Sequence, residues 1–427
     1  MKTVTMISIL LMLFLQNSIH AQINEFKINA NDGAQDDYFG ISVSIAGDYA
    51  IVGAYQDDDL GNNSGSAYIF MRNASSWNQQ IKLTASDGAA NDRFGNSVSI
   101  SGEYAIIGAH QDNDHGSYSG SAYIFKREGA NWIQQTKITA SDGGEYDEFG
   151  GAVSISGNYA IIGAQYDSDV GNSSGSAYIF RRDGIYWIQE AKITADDLYT
   201  DWDFFGHSVS ISGDYAVAGA RGRGNNHGAA YVYKRDGTSW TQQAILAPSD
   251  LVSHDRFGYS VSISGDYVIA GVPNDDDKGN ASGSVYIFKR DGLNWPQQAK
   301  LTAGDGGVDN LFGWSVSLSE NICMVGAPGD EDNGYNSGSA YILRRNGNIW
   351  SEEVKLTASD GATFDEFGES VSLTSNYAIA GASKDDVNGN ESGSAYLYEQ
   401  FISGLTGNDI FNMLTNYNLP QNYPNPF

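Results

Sequence analysis

The stretch FGNSVSISGEYAIIGA, which runs from Phe94 to Ala109, decides the fold because close copies of it recur along the chain. Successive copies begin 55, 55, 56, 52, 55 and 55 residues apart, so the chain contains seven units of nearly constant length. Self-similarity at a fixed period is typical of a repeat architecture. The function must therefore be sought in an array of one repeated unit. The other copies begin at Phe39, Phe149, Phe205, Phe257, Phe312 and Phe367.

Each complete unit carries four strand signals separated by turns rich in Gly, Ser, Asp and Asn. The second and third are apolar on both faces, which indicates strands packed on both sides of a sheet. The fourth alternates, and we interpret its Lys as the charge that protects an outer edge. The first has small residues that suit a crowded axis. The pattern predicts an all-β fold, a seven-bladed β-propeller of four-stranded antiparallel blades. In the unit quoted above, the predicted strands are residues 97–101, 104–109, 121–126 and 132–139.

The two ends of the array complement each other. The seventh unit lacks its fourth strand, whereas residues 25–30 (EFKINA) supply a matching strand before the first Phe-Gly. Pairing the two ends closes the ring and removes the free edges that an open solenoid exposes. We therefore expect the N-terminal strand to complete the last blade.

The chain is strongly acidic: its 427 residues include 52 Asp and Glu against 24 Lys and Arg, a net charge of −28. Such a charge repels nucleic-acid phosphates and anionic membranes, so nucleic acid is not expected as a partner. The single cysteine, Cys323, permits no intrachain disulfide. It aligns with Ala105 of the second unit, which predicts a small apolar core residue.

The N-terminus carries a targeting signal. Residues 1–21 combine Lys2, an apolar run and a small residue at Ala21, a pattern typical of a secretory signal peptide that is cleaved there. The apolar run is too short for a membrane span, so we expect a monomer that is secreted or held at the outer cell surface. The predicted propeller covers residues 22–400, and residues 401–418 are predicted to be a linker.

Residues 419–427, LPQNYPNPF, resemble the opening of the C-terminal sorting domain of type IX secretion, in which a Tyr-Pro-Asn-Pro-Phe motif starts a small β-sandwich. The resemblance implies the type IX secretion machinery as a partner. The sequence stops at the motif, so we interpret this segment as a truncated start of that domain. The alternative is a Pro-rich tail without this role.

The repeated unit resembles the FG-GAP repeats that form the propeller of integrin α subunits and of many bacterial surface proteins. Phe-Gly opens each unit, Gly326-Ala327-Pro328 matches the second half of the name, and Gly271-Val272-Pro273 comes close to it. The resemblance implies extracellular recognition, often with calcium, and does not imply catalysis. Integrin calcium loops lie between the first two strands, where this chain has turns such as Gly47-Asp48-Tyr49 that are too short to wrap an ion. We therefore do not predict the integrin calcium site in this chain.

A different acidic loop lies between the second and third strands of five units. Two carboxylates that stand two positions apart before a Gly can direct several oxygens at one calcium ion. The EF-hand template does not fit, and an Asp-rich turn that bonds its own backbone explains the same residues. Calcium is the candidate cofactor, and we expect stability to depend on it. The candidate calcium ligands are Asp57, Asp59, Asp112, Asp114, Asp167, Asp169, Asp275, Asp277, Asp330 and Asp332.

A second acidic loop joins the fourth strand to the next unit, as at Asp87 and Asp92. Because strand direction alternates, both acidic loops emerge on one face of the disc, which we call the acidic face. The turns after the third strand emerge on the opposite face and are rich in Arg and Lys. The disc is therefore expected to be electrically two-sided, unless both faces are simply solvated. These basic residues are Arg72, Lys126, Arg127, Arg181, Arg182, Lys234, Arg235, Lys289, Arg290, Arg344 and Arg345.

The residue directly after Phe-Gly differs in every unit, although its neighbours hardly change. A position free of the packing constraint is either idle surface or part of a recognition site. Its place near the channel mouth on the acidic face favours recognition. We call these seven residues the channel-mouth ring. Its candidate ligand-binding members are His207, Tyr259, Trp314, Asn96 and Glu369, and the other two are Ile41 and Gly151.

The fourth unit departs from the others, because Arg221-Gly222-Arg223-Gly224 replaces the Asp-x-Asp loop. Asp201, Trp202 and Asp203 lie in the lengthened loop before it. These residues either form ion pairs across the acidic face or mark a decayed repeat.

Catalytic patterns are nearly absent. Residues 171–175 match the spacing of a nucleophile elbow but lie in a strand-to-strand turn, whereas that chemistry uses a strand-to-helix turn. The histidines have no zinc spacing. We expect no enzyme but a secreted or cell-surface binding or adhesion module that recognises an extracellular protein or glycan through the acidic face. The alternatives are an exported hydrolase or lyase acting on extracellular polysaccharide, and a structural spacer.

Overall fold

The computed structural model describes residues 23–197 and 201–399. The predicted signal peptide, linker and sorting motif lie outside these residues. Within them, 28 strands form seven four-stranded antiparallel sheets, and the fold is the predicted all-β, seven-bladed propeller. One short helix, α1 (Arg223–Asn226), interrupts the fourth blade. No helix in the described ranges has the length and apolar character needed to cross a bilayer.

The blades follow one another along the chain, each with its strands in order from the axis outward. Blade one consists of β2 (Ser42–Ala46), β3 (Tyr49–Ala54), β4 (Ser66–Asn73) and β5 (Ser76–Leu83). Blade two consists of β6 (Phe94–Ser101), β7 (Tyr104–Ala109), β8 (Ser121–Glu128) and β9 (Asn131–Ile138). Blade three consists of β10 (Ala152–Ser156), β11 (Tyr159–Ala164), β12 (Ser176–Asp183) and β13 (Tyr186–Ile193).

The remaining blades keep this order, except that the last takes its outer strand from the beginning of the chain. Blade four consists of β14 (Phe205–Ser212), β15 (Tyr215–Ala220), β16 (Ala229–Asp236) and β17 (Ser239–Leu246), and blade five of β18 (Val261–Ser264), β19 (Tyr267–Val272), β20 (Ser284–Lys289) and β21 (Gln297–Leu301). Blade six consists of β22 (Ser315–Ser319), β23 (Ile322–Ala327), β24 (Ser339–Asn346) and β25 (Ile349–Leu356). Blade seven consists of β26 (Ser370–Leu373), β27 (Tyr377–Ala382), β28 (Ser394–Glu399) and β1 (Asn24–Ile28).

The strands of the second blade lie close to their predicted positions. β6 begins at Phe94 rather than at residue 97, because Phe94 already pairs with Ala109 ahead of an irregularity in the register. β8 extends to Glu128 and β9 starts at Asn131, since these two residues pair across the tight turn between them. The differences therefore concern strand ends and leave the order of the strands unchanged.

The ring closes as predicted. β1 pairs antiparallel with β28, with Asn24 opposite Glu399 and Ile28 opposite Ala395. The predicted strand, residues 25–30, overlaps β1 but extends two residues beyond its end. The first strand of the chain is thus the outer strand of the last blade, and the pairing joins the two ends of the array.

The Phe-Gly and Gly-Ala pairs of neighbouring blades meet at the axis. A Cβ atom on Gly53 would lie 1.9 Å from the carbonyl oxygen of Gly95 in the next blade, closer than real atoms approach. Gly95 has a φ of +93°, and a Cβ atom there would lie 2.2 Å from the carbonyl oxygen of Ser66. Only glycine combines this backbone conformation with so close an approach. The close contact between backbones is the physical reason for both halves of the motif.

The hydrophobic core lies between the blades. Phe149 is fully buried, and its ring centroid lies 5.4 Å from that of Tyr178 and 6.1 Å from that of Phe180. The same cluster includes Ile124 of the preceding blade, so each Phe-Gly aromatic seals a joint between two sheets. Cys323 is fully buried in β23, as its alignment with Ala105 predicts.

Serines of the inner strands hydrogen-bond to the neighbouring blades. The backbone N–H of Ile155 donates to Oγ of Ser99 at 3.1 Å, and Oγ of Ser97 donates to the carbonyl oxygen of Gly150 at 2.7 Å. The first of these bonds recurs at all seven joints. Small size was the predicted reason for serine near the axis, and the structure adds a bonding role between blades.

Candidate functional site

The residues of the channel-mouth ring come together in space. All seven members line one open depression of about 240 Å3, together with the Ser and Val residues that follow most of them. The structure thus brings the five predicted ligand-binding residues together at the end of the channel. These residues are His207, Tyr259, Trp314, Asn96 and Glu369.

A tight turn positions each member of the ring. The backbone N–H of Asn96 donates to the carbonyl oxygen of Arg93 at 3.2 Å, and the equivalent bond is present in all seven blades. The residue before each Phe-Gly has a positive φ, as at Arg93 (57°) and Arg256 (62°). The backbone of the turn is therefore the same everywhere, and only the side chains differ from blade to blade.

Three adjacent blades contribute an aromatic wall to the ring. The ring centroids of His207 and Tyr259 lie 4.9 Å apart, and those of Tyr259 and Trp314 lie 4.6 Å apart, with interplanar angles of 60° and 44°. Nδ1 of His207 lies 2.8 Å from Oε1 of Gln165. Burial and the nearby charges of Arg221 and Arg256 lower the pKa of His207 to about 3, so the imidazole is neutral at physiological pH.

The other four members of the ring are an acid, an amide, an isoleucine and a glycine: Glu369, Asn96, Ile41 and Gly151. Burial raises the pKa of Glu369 to about 7, although Oγ of Ser383 donates a hydrogen bond to its carboxylate. Nδ2 of Asn96 donates to the carbonyl oxygen of Gly151 at 3.3 Å. The site therefore combines three aromatic rings with one carboxyl group whose pKa lies near neutral pH.

The predicted Asp-x-Asp loops meet the second acidic loop on the acidic face. In three blades, three carboxylates bring one oxygen each within 4.8 Å of one another, an arrangement that can hold a metal ion. The first Asp of each loop is buried: Asp57 and Asp112 are each 3% exposed. The three groups consist of Asp32, Asp57 and Asp59; Asp87, Asp112 and Asp114; and Asp305, Asp330 and Asp332.

A lysine from the outer strand reaches into each of these groups. Nζ of Lys82 lies 2.9 Å from Asp32, 2.8 Å from Asp57 and 2.6 Å from Asp59. Equivalent ion pairs join Lys192 to Asp142, Asp167 and Asp169, and Lys300 to Asp250, Asp275 and Asp277. In the last blade, Lys27 pairs with Asp360 and Asp385. We call these six assemblies the lysine–aspartate clusters. They are centred on Lys27, Lys82, Lys137, Lys192, Lys300 and Lys355.

The lysines correct the interpretation of the fourth strand. Lysine was expected to protect an outer edge, but the side chain of Lys82 is only 16% exposed and its ammonium group lies among carboxylates. The signal was present in the sequence, because these lysines follow the repeat and the fourth unit lacks both the Asp-x-Asp loop and the lysine, having Ile245 instead. What the sequence did not show is that the two acidic loops and the outer strand converge on one point.

In the fourth blade, an ion pair between an arginine and an aspartate takes the place of the lysine–aspartate cluster. Arg223, which occupies the position of the buried Asp, pairs with Asp197, and the hydroxyl group of Tyr231 also donates to Asp197 at 2.9 Å. Asp201 accepts hydrogen bonds from the backbone and side chain of Asn172. An ion pair does form in this blade, but it joins Arg223 to Asp197, whereas the prediction named Asp201 and Asp203 as the acids.

The basic residues lie on the opposite face, as predicted, and the structure gives many of them partners. The guanidinium carbon of Arg127 lies 4.7 Å from the ring centroid of Tyr49 in the preceding blade, and that of Arg182 lies 4.8 Å from Tyr104. Arg290 also pairs with Asp266 on the same face. These arginines act mainly as contacts between blades.

A profile of a known protein family agrees with the repeat. The fold is similar to that in a crystal structure of Saccharomyces cerevisiae Sqt1, at 9% sequence identity and a TM-score of 0.47, with 87% of this chain and 97% of that chain covered. No curated protein is similar enough in sequence to match the chain. A profile described as FG-GAP repeat matches seven times, over residues 24–70, 77–125, 132–180, 187–233, 240–288, 295–343 and 350–398. These seven matches cover most of the sequence, and the chain therefore belongs to the FG-GAP repeat family.

Proposed function

We propose that the protein is a secreted or cell-surface binding module that recognises an extracellular protein or glycan through the channel mouth on its acidic face. One observation carries the proposal: seven positions that differ in every blade converge on a single depression, while the surrounding residues repeat. A frame held constant around variable side chains is what a binding site needs. Concave sites lined by aromatic rings and a few polar groups are the usual form of a small-ligand site.

Binding is a better explanation of the ring than catalysis. Among the seven ring members, Glu369 is the only carboxylic acid, whereas glycoside hydrolysis commonly uses a pair of carboxyl groups. Glu366 lies three positions earlier but pairs with Lys384 at 2.7 Å. The near-neutral pKa of Glu369 is the one feature that favours the alternative, an exported hydrolase or lyase of polysaccharide. Release of reducing ends from polysaccharides, abolished by Glu369→Gln, would establish that alternative.

Export is part of the proposal. The leader pattern of residues 1–21 and the resemblance of residues 419–427 to a sorting motif support secretion by way of the type IX machinery. Fractionation of cells that produce the full chain and a chain truncated before residue 419 tests this. Retention of the truncated chain in the periplasm, with the full chain outside, is the expected result.

Calcium requires a more specific hypothesis than the sequence suggested. In each lysine–aspartate cluster, the ammonium group already lies 2.5 to 3.3 Å from the carboxylates. A calcium ion at the same point would have to displace the lysine. We therefore propose that lysine supplies the positive charge in six blades, and that calcium binds these acids only where the lysine is removed.

An array of glycans and matrix proteins tests the binding function directly. The parent is compared with Trp314→Ala, which shortens the aromatic wall, and with Tyr186→Ala, an exposed aromatic residue on the opposite face as the matched control. We expect ligands that the parent and Tyr186→Ala bind and that Trp314→Ala loses, with and without calcium. Ligands bound equally by all three proteins would place recognition elsewhere.

A further inference from the structure

Three arginines next to the residues of the channel-mouth ring lack the side-chain hydrogen bond or ion pair that every other described arginine has. Twelve arginines lie in the described residues, and nine of them form a side-chain hydrogen bond or ion pair. The side chains of the remaining three form neither within the described ranges. In a chain with a net charge of −28, carboxylates are abundant, so this lack of partners is unexpected. The three are Arg93, Arg221 and Arg256.

All three unpartnered arginines lie at the positions that frame the channel-mouth ring. Arg93 and Arg256 directly precede a Phe-Gly, and Arg221 directly follows a Gly-Ala. Stacking alone does not explain them. Arg221 lies over Phe204, 4.5 Å from the ring centroid, and Arg93 lies over Tyr55 at 5.4 Å. The arginines that stack on tyrosines on the opposite face also form hydrogen bonds, as Arg182 does with Asn158.

Two of these cations stand beside the aromatic wall. The charges of Arg221 and Arg256 both act on His207 and on Tyr259, and burial together with Arg256 lowers the pKa of Arg221. Two half-buried cations that lie near each other and form no ion pair are unfavourable, because no direct contact offsets their desolvation or their repulsion. An anion that enters the mouth would relieve both.

We propose that the channel mouth binds a terminal uronic acid of an otherwise neutral glycan, with Arg221 and Arg256 holding the carboxylate and His207, Tyr259 and Trp314 contacting a face of the sugar ring. The planar guanidinium group matches a carboxylate with paired hydrogen bonds. Aromatic rings offer flat apolar surface, and the depression of about 240 Å3 is smaller than a pocket for a drug-sized ligand.

The acidic loops restrict the ligand further. The lysine–aspartate clusters lie toward the outer strands and form the rim of the acidic face, with Asp59 and Asp114 at 53% and 48% side-chain exposure. Five of the six clusters set three carboxylates against one ammonium group, so this rim remains negative. A polyuronate, with a charge on every unit, would be repelled by this rim. A single terminal carboxylate passes the rim and reaches the arginines, which is why a chain end, and not a polyanion, is the expected ligand. This inference rests on the proposed binding function and names the ligand class for it.

Calorimetry with methyl glucuronide and methyl glucoside, which differ only in the carboxylate, tests the inference. We expect the glucuronide to bind about 10- to 100-fold more tightly, the range for hydrogen bonds to a charged group. The double variant Arg221→Met with Arg256→Met is expected to remove that preference. Its melting temperature should equal or exceed that of the parent, because the two arginines form no hydrogen bond or ion pair and Met keeps an apolar side chain beside Phe204. Arg345→Met on the opposite face is the matched control.

The possible results separate this inference from the binding function. A neutral sugar or a protein that is lost with Trp314→Ala but kept by the arginine double variant would overturn the inference and leave the binding function intact. Equal competition by inorganic sulfate and by methyl glucuronide would also overturn it, since the mouth would then be a general anion site. Ligands insensitive to both the tryptophan and the arginine variants would contradict both proposals.

Discussion

Nζ of Lys137 lies 2.8 Å from Oδ2 of Asp112, and the same ammonium group reaches Asp87 and Asp114 at 2.9 and 2.5 Å. Asp112 is only 3% exposed, and this lysine is the cation that it contacts. Burial alone would lower the pKa of Lys137, but the hydrogen bonds to the three carboxylates outweigh it and the pKa is raised. Each lysine–aspartate cluster thus carries a cation of its own.

Replacing Lys137 with Met should turn its cluster into a calcium site. The substitution leaves three carboxylates without a cation. It should lower the free energy of unfolding by about 3 kcal/mol, because the buried carboxylate loses its ion-pair partner and is left uncompensated. Calcium at a hundredfold excess over its Kd should restore about 2.7 kcal/mol in the variant. Thermal unfolding in calcium, in magnesium and in sodium at matched ionic strength measures this.

The parent should unfold at the same temperature in all three salts, and so should Lys126→Met, a change at a half-exposed lysine on the opposite face. Sodium controls for screening, and magnesium suits these loops poorly because it demands an octahedral shell. A parent that calcium stabilises and magnesium does not would contradict the role assigned to the lysine.

Mild acid should stabilise the fold. Burial raises the pKa of Asp37, Asp92 and Asp365 to about 6, from an ordinary value of 3.8. Between these values the folded protein binds more protons than the unfolded chain, so the free energy of unfolding rises as the pH falls from 7 to 5. Asp87, whose pKa is lowered by Lys137 despite its partial burial, loses its contribution only at lower pH.

Asp92→Asn isolates this effect. The amide oxygen of Asn still accepts the hydrogen bond from the backbone N–H of Ala89, which Asp92 accepts at 2.7 Å, and Asn310 occupies the same position in the sixth blade. Chemical denaturation at pH 5 and 7 should show a smaller gain for the variant than for the parent. Greater stability of the parent at pH 7 than at pH 5 would refute the prediction.

Removing the first strand should destabilise the whole ring. A chain that starts at residue 31 lacks β1 and the ion pairs of Lys27, and leaves the edge of β28 unpaired. Its loss of unfolding free energy should exceed the 0.5–3 kcal/mol of an ordinary substitution. A synthetic peptide of residues 23–30 should restore much of the melting temperature by adding a strand to the open edge.

A scrambled peptide of the same composition is the control for that rescue. If the chain that starts at residue 31 melts together with one that starts at residue 23, the closure contributes nothing to stability.

The Phe-Gly aromatic should be among the most sensitive positions. Phe149→Ala removes a fully buried ring from the joint between the second and third blades and should cost about 3 to 5 kcal/mol. Phe364 is 54% exposed on the acidic face, so Phe364→Ala should cost less than about 0.5 kcal/mol. Urea unfolding of both variants gives the comparison, and a loss below about 1 kcal/mol for Phe149→Ala would mean that the joint repacks around the missing ring.

The fold could be predicted because every blade repeats the residues that hold it together. Phe94, Gly95 and Gly108 each have counterparts in all seven units, so the period, the strand order and the closure follow from one unit and its copies. Strand ends differed by a few residues, since pairing across turns such as that between Glu128 and Asn131 depends on backbone geometry.

The contents of the site were harder to predict. The channel-mouth ring was found because its positions escape repetition, which is visible in one sequence. The role of Lys137 was missed because Asp87, Asp112 and Lys137 come from three separate segments, and nothing in their spacing shows that they meet. The sequence also could not show that Arg221 forms no ion pair, because that depends on which side chains meet in the fold.

The pairing of β1 with β28 also determines how the disc would respond to a pulling force. Asn24 and Glu399 lie opposite each other at the same end of the two strands, on the face away from the channel mouth. Tension applied between the two ends of the propeller would load one residue pair at a time and unzip the seventh blade from that end. Tension between a single anchored end and a ligand in the mouth would instead pass through the thickness of the disc. A protein of this design resists detachment best when it is tethered by one end only.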